Sequence, residues 1–202
     1  MNYLAHAYLS FNHPGVLVGN MISDFVKGKK KFDYPPEIQK GITLHRAIDE
    51  FTDQHEATRY AKKVFRPYYR LYSGAFIDVV YDHFLATDED EFSEESLFKF
   101  SLQVYQVLDQ NSNLFPEKFA AMFPYMKKHN WLFHYRSING IEKSFGGLVR
   151  RAVYLNESEN AARVFNEHYQ RLSDSYRHFW ADIKPFAQNK MQELLNIGNN
   201  LV

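Results

Sequence analysis

The segment PEIQKGITLHRAIDEFTD, residues 36–53, decides the fold and carries the first sign of chemistry. Ile38 and Ile42 begin an apolar stripe at helical spacing, which predicts an amphipathic helix with one face toward a core. His45 and Asp49 fall inside that stripe, about 40° apart on a helical wheel. A carboxylate that faces a core costs free energy unless it is paired or binds a metal ion. Because the two residues are i,i+4 neighbours, both side chains can reach one ion.

Other apolar segments are interrupted by acids and imidazoles in the same way. The residues concerned are His6, Asp24, Asp78, Asp82 and His83. We predict that they share one site with the pair on the first helix. Imidazole and carboxylate ligands without sulfur suit Mn²⁺, Mg²⁺, Fe²⁺ or Zn²⁺ in a hydrolytic site. The alternative is that these groups bond one another, or Arg46, and only hold helices together.

The composition limits the class of protein. The 202 residues are 45% hydrophobic and 17% aromatic, which suits one domain with a sizeable core and excludes disorder. The 24 basic and 24 acidic residues cancel. The absence of cysteine excludes disulfides, thiolate nucleophiles and cysteine-ligated zinc. No apolar run approaches the ~18 residues of a membrane span, and the start lacks a leader pattern, so we expect a cytoplasmic protein.

Helical periodicity extends over nearly the whole chain, which predicts a single compact all-α domain over residues 1–202. Prolines mark the expected helix boundaries. Pro67 should break or kink a long helix near Arg66, and Pro124 should interrupt another. Pro185 should separate a short C-terminal helix. The acidic run 88–95 is expected to be a solvated loop.

Four strings of sequence resemble a known family. They are NYLAH at 2–6, GNMISDF at 19–25, GITLHRAIDEFTD at 41–53 and DVVYDHFLA at 78–86. In order and spacing they resemble the bacterial acyl carrier protein phosphodiesterase family. The likeness continues through residues 147–151 and the last long helix, so it covers essentially the whole chain.

The resemblance implies an all-helical fold similar to a rearranged HD phosphohydrolase. It implies a divalent metal, typically manganese, and removal of phosphopantetheine from the serine of holo-acyl carrier protein. Carried over to this chain, the motif positions are His6, Asp24, His45, Asp49, Asp78, Asp82 and His83. We assign the metal to His6, Asp24, Asp49, Asp78 and Asp82.

Hydrolysis of such a diester would use a metal-activated water that attacks phosphorus. The departing serine oxygen needs a proton, and His45, His83 or Asp53 is the candidate donor. Arg46 is expected to stabilise charge on the non-bridging oxygens.

An acidic carrier protein needs a positive docking surface. Two sets of basic residues are candidates. The first set is Lys27, Lys29, Lys30 and Lys31, directly after Asp24. The second set is Arg59, Lys62, Lys63, Arg66 and Arg70, opposite an apolar stripe. Nucleic acid and membrane are not expected as partners, since the net charge is zero and no nucleic-acid motif occurs.

Two other functions stay open at the level of sequence. One is an HD-type hydrolase of a nucleotide or another small phosphoester. The other is a helical adaptor that binds an acidic protein without catalysis. The basic helix face favours the carrier protein over a small substrate, and the inward-facing acids argue against an adaptor.

Overall fold

The computed structural model describes residues 1–152 and 159–197. In these two ranges the chain forms eleven α-helices and no β-strand, which confirms the all-α prediction. The helices are α1 Tyr3–Tyr8, α2 Pro14–Ile22, α3 Pro36–Gln54, α4 Glu56–Tyr69, α5 Ser73–Thr87, α6 Glu94–Gln110, α7 Glu117–Lys128, α8 Trp131–His134, α9 Ile138–Arg151, α10 Glu159–Glu167 and α11 Tyr169–Ile197. Four short 3₁₀ turns connect them, at Ser23–Phe25, Gly28–Asp33, Arg70–Tyr72 and Ser112–Leu114.

Helices α2 and α3 touch backbone to backbone. A Cβ atom on Gly19 would lie 2.1 Å from the carbonyl oxygen of Ile38, and one on Gly41 would lie 2.1 Å from that of Val16. No side chain larger than hydrogen fits at either position. This crossing places Asn20 of α2 beside His45, one turn further along α3.

The longest helix, α11, packs along α3, α4 and α5 and closes one side of the core. Aromatic rings form much of this contact. Tyr81 of α5 and Phe179 of α11 stack with centroids 4.8 Å apart, and Phe51 of α3 stacks on Phe186 at 4.5 Å. The buried apolar residues form one continuous cluster from α1 to α11.

The proline predictions are largely wrong. Pro124 and Pro185 lie inside α7 and α11, so no separate C-terminal helix exists in the described part of the chain. A proline in a helix interior costs about 3 kcal/mol. Around Pro185, Ile183 and Ala187 are fully buried, and their packing offsets that cost. After Pro67, α4 continues to Tyr69 and ends at Arg70, which has a φ of +47°.

The acidic run is a loop followed by a helix, as predicted, and Ser93 caps that helix by accepting from the amide of Ser96 at 3.1 Å. Its expected solvation is wrong for two residues. Asp88 accepts from the Tyr176 hydroxyl at 3.0 Å. Glu91 accepts from the Trp180 indole at 2.8 Å, from Lys184 at 2.7 Å and from the Tyr8 hydroxyl. These partners bind the loop to α11 and α1.

Among residues 1–152 and 159–197, no helix has the length and apolar character needed to cross a membrane. Residues 153–158 and 198–202 of the predicted domain lie outside the described residues. The likeness to HD phosphohydrolases stays a prediction.

Candidate metal centre

Two imidazoles and a carboxylate meet where α1 and α3 come together. The rings of His6 and His45 stack with centroids 3.9 Å apart and an interplanar angle of 14°. Both Nε2 atoms face Asp49, at 3.2 Å from Oδ1 for His6 and 3.0 Å from Oδ2 for His45. Asp24 joins from the other side, since its Oδ1 lies 3.1 Å from Nε2 of His45. The pairing of His45 with Asp49 within one apolar stripe is thus present in the structure.

Asn20 orients both imidazoles. Its side-chain amide donates to the carbonyl oxygen of His6 at 2.8 Å and to the hydroxyl of Ser10 at 3.0 Å. Its Oδ1 therefore faces His6 and accepts from Nδ1 at 2.8 Å. The backbone carbonyl of the same residue accepts from Nδ1 of His45 at 2.8 Å. Both Nδ1 atoms are thereby protonated, and the Nε2 atom is the one left to bind an ion.

The two imidazoles have opposite pKa shifts. Burial, together with the neighbouring His45, lowers the pKa of His6 to about 4. Burial also opposes protonation of His45, but hydrogen bonds from its Nε2 to Asp24 and Asp49 outweigh that effect and raise its pKa to about 9. Despite the burial of Asp49, its hydrogen bond to His45 holds its pKa well below the usual range. At neutral pH the metal-free group is therefore a neutral His6, a charged His45 and an ionised Asp49.

This charge state suits a cation. The unprotonated Nε2 of neutral His6 faces an ionised carboxylate oxygen at 3.2 Å, and two acceptors that close repel unless a positive charge lies between them. The ligand atoms of His6, His45 and Asp49 all lie within 4.8 Å of one another. Separations of 3.0–3.2 Å are also those expected between neighbouring ligands of one ion with bonds of about 2.1 Å. The residues fit a divalent metal.

The group is closed on the protein side and open on the other. The side chains of His6 and His45 are 3% and 6% exposed, whereas those of Asp49 and Asp24 are 41% and 62% exposed. An ion held by the buried imidazoles would therefore keep a side accessible to substrate.

Asp78 lies next to this group and is not part of it. Its Oδ1 accepts from the amino group of Met1 at 3.0 Å, and that amino group is also 3.5 Å from Oδ1 of Asp49. Burial raises the pKa of Asp78, and the ammonium group opposes that rise. A cavity of about 370 Å³ is lined by Asp78, Asp24, Tyr3 and Leu148, among others.

Asp82 is fully buried and supports α1. Its two carboxylate oxygens accept from the backbone amides of Leu4 at 2.8 Å and Ala5 at 3.2 Å. These amides lie in the first turn of α1, where backbone donors have no acceptor within the helix. Burial raises the pKa of Asp82 to about 7. The residue thus positions the helix that carries His6, and its assignment as a metal ligand stays a prediction without a direct contact to the group.

The predicted catalytic residues other than His45 are turned elsewhere. His83 donates from Nδ1 to the carbonyl oxygen of Tyr135 at 2.7 Å, and its Nε2 lies 3.4 Å from the Tyr169 hydroxyl. Asp53 is exposed and pairs with Lys62 at 2.7 Å. Arg46 donates to the carbonyl oxygen of Val26 at 2.8 Å, which fixes the turn that follows Asp24.

The predicted docking residues are at the surface. Lys27, Lys29, Lys30, Arg59, Lys63, Arg66 and Arg70 are exposed, while Lys31 and Lys62 are half-buried. Lys31 lies over the ring of Phe32, 5.0 Å from its centroid, and Lys62 is held by Asp53. The lysine segment directly follows the exposed carboxylate of Asp24.

Asn20 was not predicted as a site residue. A buried amide inside the apolar run 16–26 is the signal that could have identified it, because such a group needs several hydrogen-bond partners.

A second group of possible ligands, His55, His178 and Asp182, is less suited to a metal. Nδ1 of His55 accepts from the amide of Ala57 at 3.2 Å, so its Nε2 carries the proton and donates to Asp182 at 3.0 Å. An ion at Nε2 would force a proton onto Nδ1, against the Ala57 amide. This group joins α4 to α11.

Comparisons with known proteins agree with the resemblance. A family model described as acyl carrier protein phosphodiesterase matches residues 1–183. An acyl carrier protein phosphodiesterase of Klebsiella pneumoniae subsp. pneumoniae is 31% identical over 94% of this chain and 99% of its own length. One of Yersinia pestis is 32% identical over the same shares. No solved structure matches the chain.

The role of Asn20 can be tested by substitution with alanine. The change removes the acceptor for His6 and keeps the backbone carbonyl that orients His45. Loss of such a supporting bond lowers metal affinity by about 10–100-fold, and the effect should not exceed that of His6→Ala. Mn²⁺ titration of the purified variants measures it. Ser101→Ala, which removes a buried hydroxyl away from the group, is the control, and an Asn20→Ala variant with the affinity of this control would contradict the role.

Metal binding should release a proton from His45. At pH 7 this residue, with a pKa of about 9, is the protonated ligand, whereas neutral His6 and ionised Asp49 have no proton to lose. Mn²⁺ binding at pH 7 should therefore release about one proton, and the apparent affinity should rise about tenfold per pH unit up to pH ~9. Calorimetry in two buffers of different ionisation enthalpy measures the proton. His83→Gln should release the same number, and release of none by the parent protein would refute the assigned charge state.

Proposed function

The chain belongs to the acyl carrier protein phosphodiesterase family, and we propose that it hydrolyses the phosphodiester of holo-acyl carrier protein. The products are phosphopantetheine and the apo-carrier protein with a free serine. The observation that carries the proposal is the group of His6, His45 and Asp49, with Nε2 atoms 3.0–3.2 Å from the shared carboxylate and both rings oriented by Asn20.

These three residues, with Asp24 beside them, would hold a divalent metal. When bound, such an ion supplies a Lewis acid for the phosphoryl oxygens and lowers the pKa of a water molecule from about 16 toward 7. Manganese is the ion we propose, and the His and Asp donor set suits it. This assignment makes His45 a ligand and not the proton donor.

The chain's own residues prepare the reaction around that centre. The 370 Å³ cavity beside Asp24 and Asp78 is the space we assign to the phosphodiester. The ammonium group of Met1 adds positive charge at one edge of this space, next to Asp49. Arg46 acts on the turn after Asp24 through its bond to Val26, and so fixes the position of the Asp24 carboxylate.

The carrier protein would dock on the two predicted sets of basic residues. The lysine segment 27–31 begins three residues after Asp24, so an acidic protein bound there has its modified serine close to the centre. The exposed cations of α4 extend the positive surface. The chain has no cysteine, hence no disulfide that would need an oxidising compartment, and a cytoplasmic location is part of the proposal.

Incubation of holo-acyl carrier protein with the enzyme and Mn²⁺ tests the function. Mass spectrometry should show the carrier losing the mass of phosphopantetheine. Asp49→Asn, which removes the carboxylate that faces both imidazoles, should lower the rate by about a hundredfold or more. Glu50→Gln changes the exposed neighbouring acid on the same helix and serves as the control with unchanged activity.

Three outcomes would count against this function. A carrier of unchanged mass, with hydrolysis of a nucleotide instead, would favour a small-phosphoester hydrolase. Tight carrier binding without metal or turnover would favour an adaptor. Full activity of folded Asp49→Asn would remove the metal group from the mechanism.

The docking surface can be tested by charge reversal. Lys30→Glu combined with Arg66→Glu should raise KM for holo-acyl carrier protein about tenfold, because both exposed cations would become repulsive toward an acidic partner. Hydrolysis of bis(nitrophenyl) phosphate should stay unchanged. Lys99→Glu, at an exposed position of α6, is the matched control. Equal losses on both substrates would show that these residues support the centre and do not bind the carrier.

A further inference from the structure

A second, larger cavity shares two lining residues, Asn2 and Tyr3, with the cavity that contains Asp24 and Asp78. Its volume is about 1230 Å³, and it is bordered by the start of α1, by α5 and by the segment from α7 to α9. We call it the α9 cleft. Clefts that hold ligands of drug size typically measure about 300–1,000 Å³, so this one has room for an extended small molecule.

The α9 cleft joins the smaller cavity that contains Asp24 and Asp78. Asn2 and Tyr3 line both spaces. Helix α9 also borders both, with Leu148 on the smaller cavity and Gly147 on the cleft. A molecule with its phosphate in the smaller cavity can therefore extend past Tyr3 into the cleft.

The walls of the cleft combine apolar surface with positive charge. Tyr3, Met122, Trp131 and Phe133 supply rings and a thioether, and the sulfur of Met122 lies 3.7 Å from the Tyr3 hydroxyl. Four cations also line it, namely Lys128, Arg136, Lys143 and Arg150. Among the described lining residues there is no aspartate or glutamate. The apolar part of this lining suits a chain of methylenes and neutral amides.

On the face of α9 toward the cleft, the small residues Gly140, Ser144 and Gly147 lie between longer side chains and leave room at their positions. A Cβ atom built on Gly147 would meet only the Nη2 atom of Arg150, at 3.9 Å, among the surrounding atoms within 4 Å. Within residues 1–152 and 159–197, no atom of another helix lies within 4 Å of that Cβ position. The cleft wall at Gly147 is therefore bare backbone that another molecule can cover.

We infer that the α9 cleft binds the pantetheine arm of the substrate, an inference that rests on the proposed function. A phosphodiester has two ester substituents, and they must leave the phosphorus in different directions. The lysine segment begins three residues after Asp24, which lines the smaller cavity, and receives the protein. The α9 cleft opens on the side of Asn2 and Tyr3 and receives the arm. The arm and the carrier are thus bound by separate surfaces.

Substitution of Gly147 tests the inference. Phenylalanine there adds a large side chain to the cleft wall, at a position where a Cβ atom meets no backbone of the other described helices within 4 Å. Because phenylalanine has a better helix propensity than glycine, we expect the fold to be retained. Gly147→Phe should lower kcat/KM for holo-acyl carrier protein about tenfold or more, while hydrolysis of bis(nitrophenyl) phosphate stays within about twofold of the parent. Gly147→Ala adds only a methyl group and should behave like the parent.

Pantetheine itself, which carries no phosphate, is the second probe. It should compete with holo-acyl carrier protein in the parent and in Gly147→Ala, and should not compete in Gly147→Phe. If the parent hydrolyses the carrier but pantetheine does not compete and Gly147→Phe is fully active, the cleft assignment is wrong and the proposed function stands. If the parent does not release phosphopantetheine at all, the proposed function is wrong and the arm site is refuted with it.

Discussion

The contact between the backbones of α2 and α3 is the constraint on which the candidate centre depends. Only glycine at 19 and 41 allows the helices to approach this closely. At that separation the carbonyl oxygen of Asn20 reaches Nδ1 of His45 directly. A wider crossing, with alanine at either glycine, would move Asn20 away from His45 and leave a buried imidazole without its acceptor. The geometry of the candidate ligands is therefore set by helix packing at Gly41, one turn before His45, and at Gly19, next to Asn20.

The charges of the group follow from that enforced proximity. Two imidazoles stacked at 3.9 Å cannot easily both be cationic. Burial and the neighbouring charge keep His6 neutral, while Asp24 and Asp49 stabilise the protonated form of His45. In the metal-free protein the proton on His45 thus takes the place of a cation between Asp24 and Asp49. A dication satisfies the same carboxylates and also the unprotonated Nε2 of His6, which a proton on His45 does not reach. The arrangement of the group therefore suits a dication better than a single proton.

Part of this could be predicted from the sequence, and the limits have physical causes. His45 and Asp49 were identifiable because polar residues within a helical stripe must find a partner in the core. Asp82 satisfies the same criterion, yet it accepts two amides of α1, since a buried carboxylate is equally suited to a helix start and to a metal. The prediction of a helix boundary at Pro185 is wrong because helix propensity is a local property of the sequence. The packing of α11 against three helices depends on residues far away in the chain. Asn20 lies inside an apolar run, where the surrounding hydrophobic residues indicate core packing and not a site.

The arrangement of the two cavities follows from the kind of substrate. A small phosphoester needs one pocket, but a diester that links a protein to a flexible arm has one substituent too large to enter and another that must be immobilised. Immobilising a flexible arm costs conformational entropy, and a bordering cleft with apolar walls recovers free energy by covering that arm. In the arrangement proposed above, the protein side of the centre is a charged, exposed turn, and the arm side is a cleft along α9 with bare backbone at Gly147. Recognition of the carrier and recognition of its prosthetic group are then separable. Recognition of the carrier depends on surface charge, which salt screens. Recognition of the prosthetic group depends on apolar contact area, which salt does not screen.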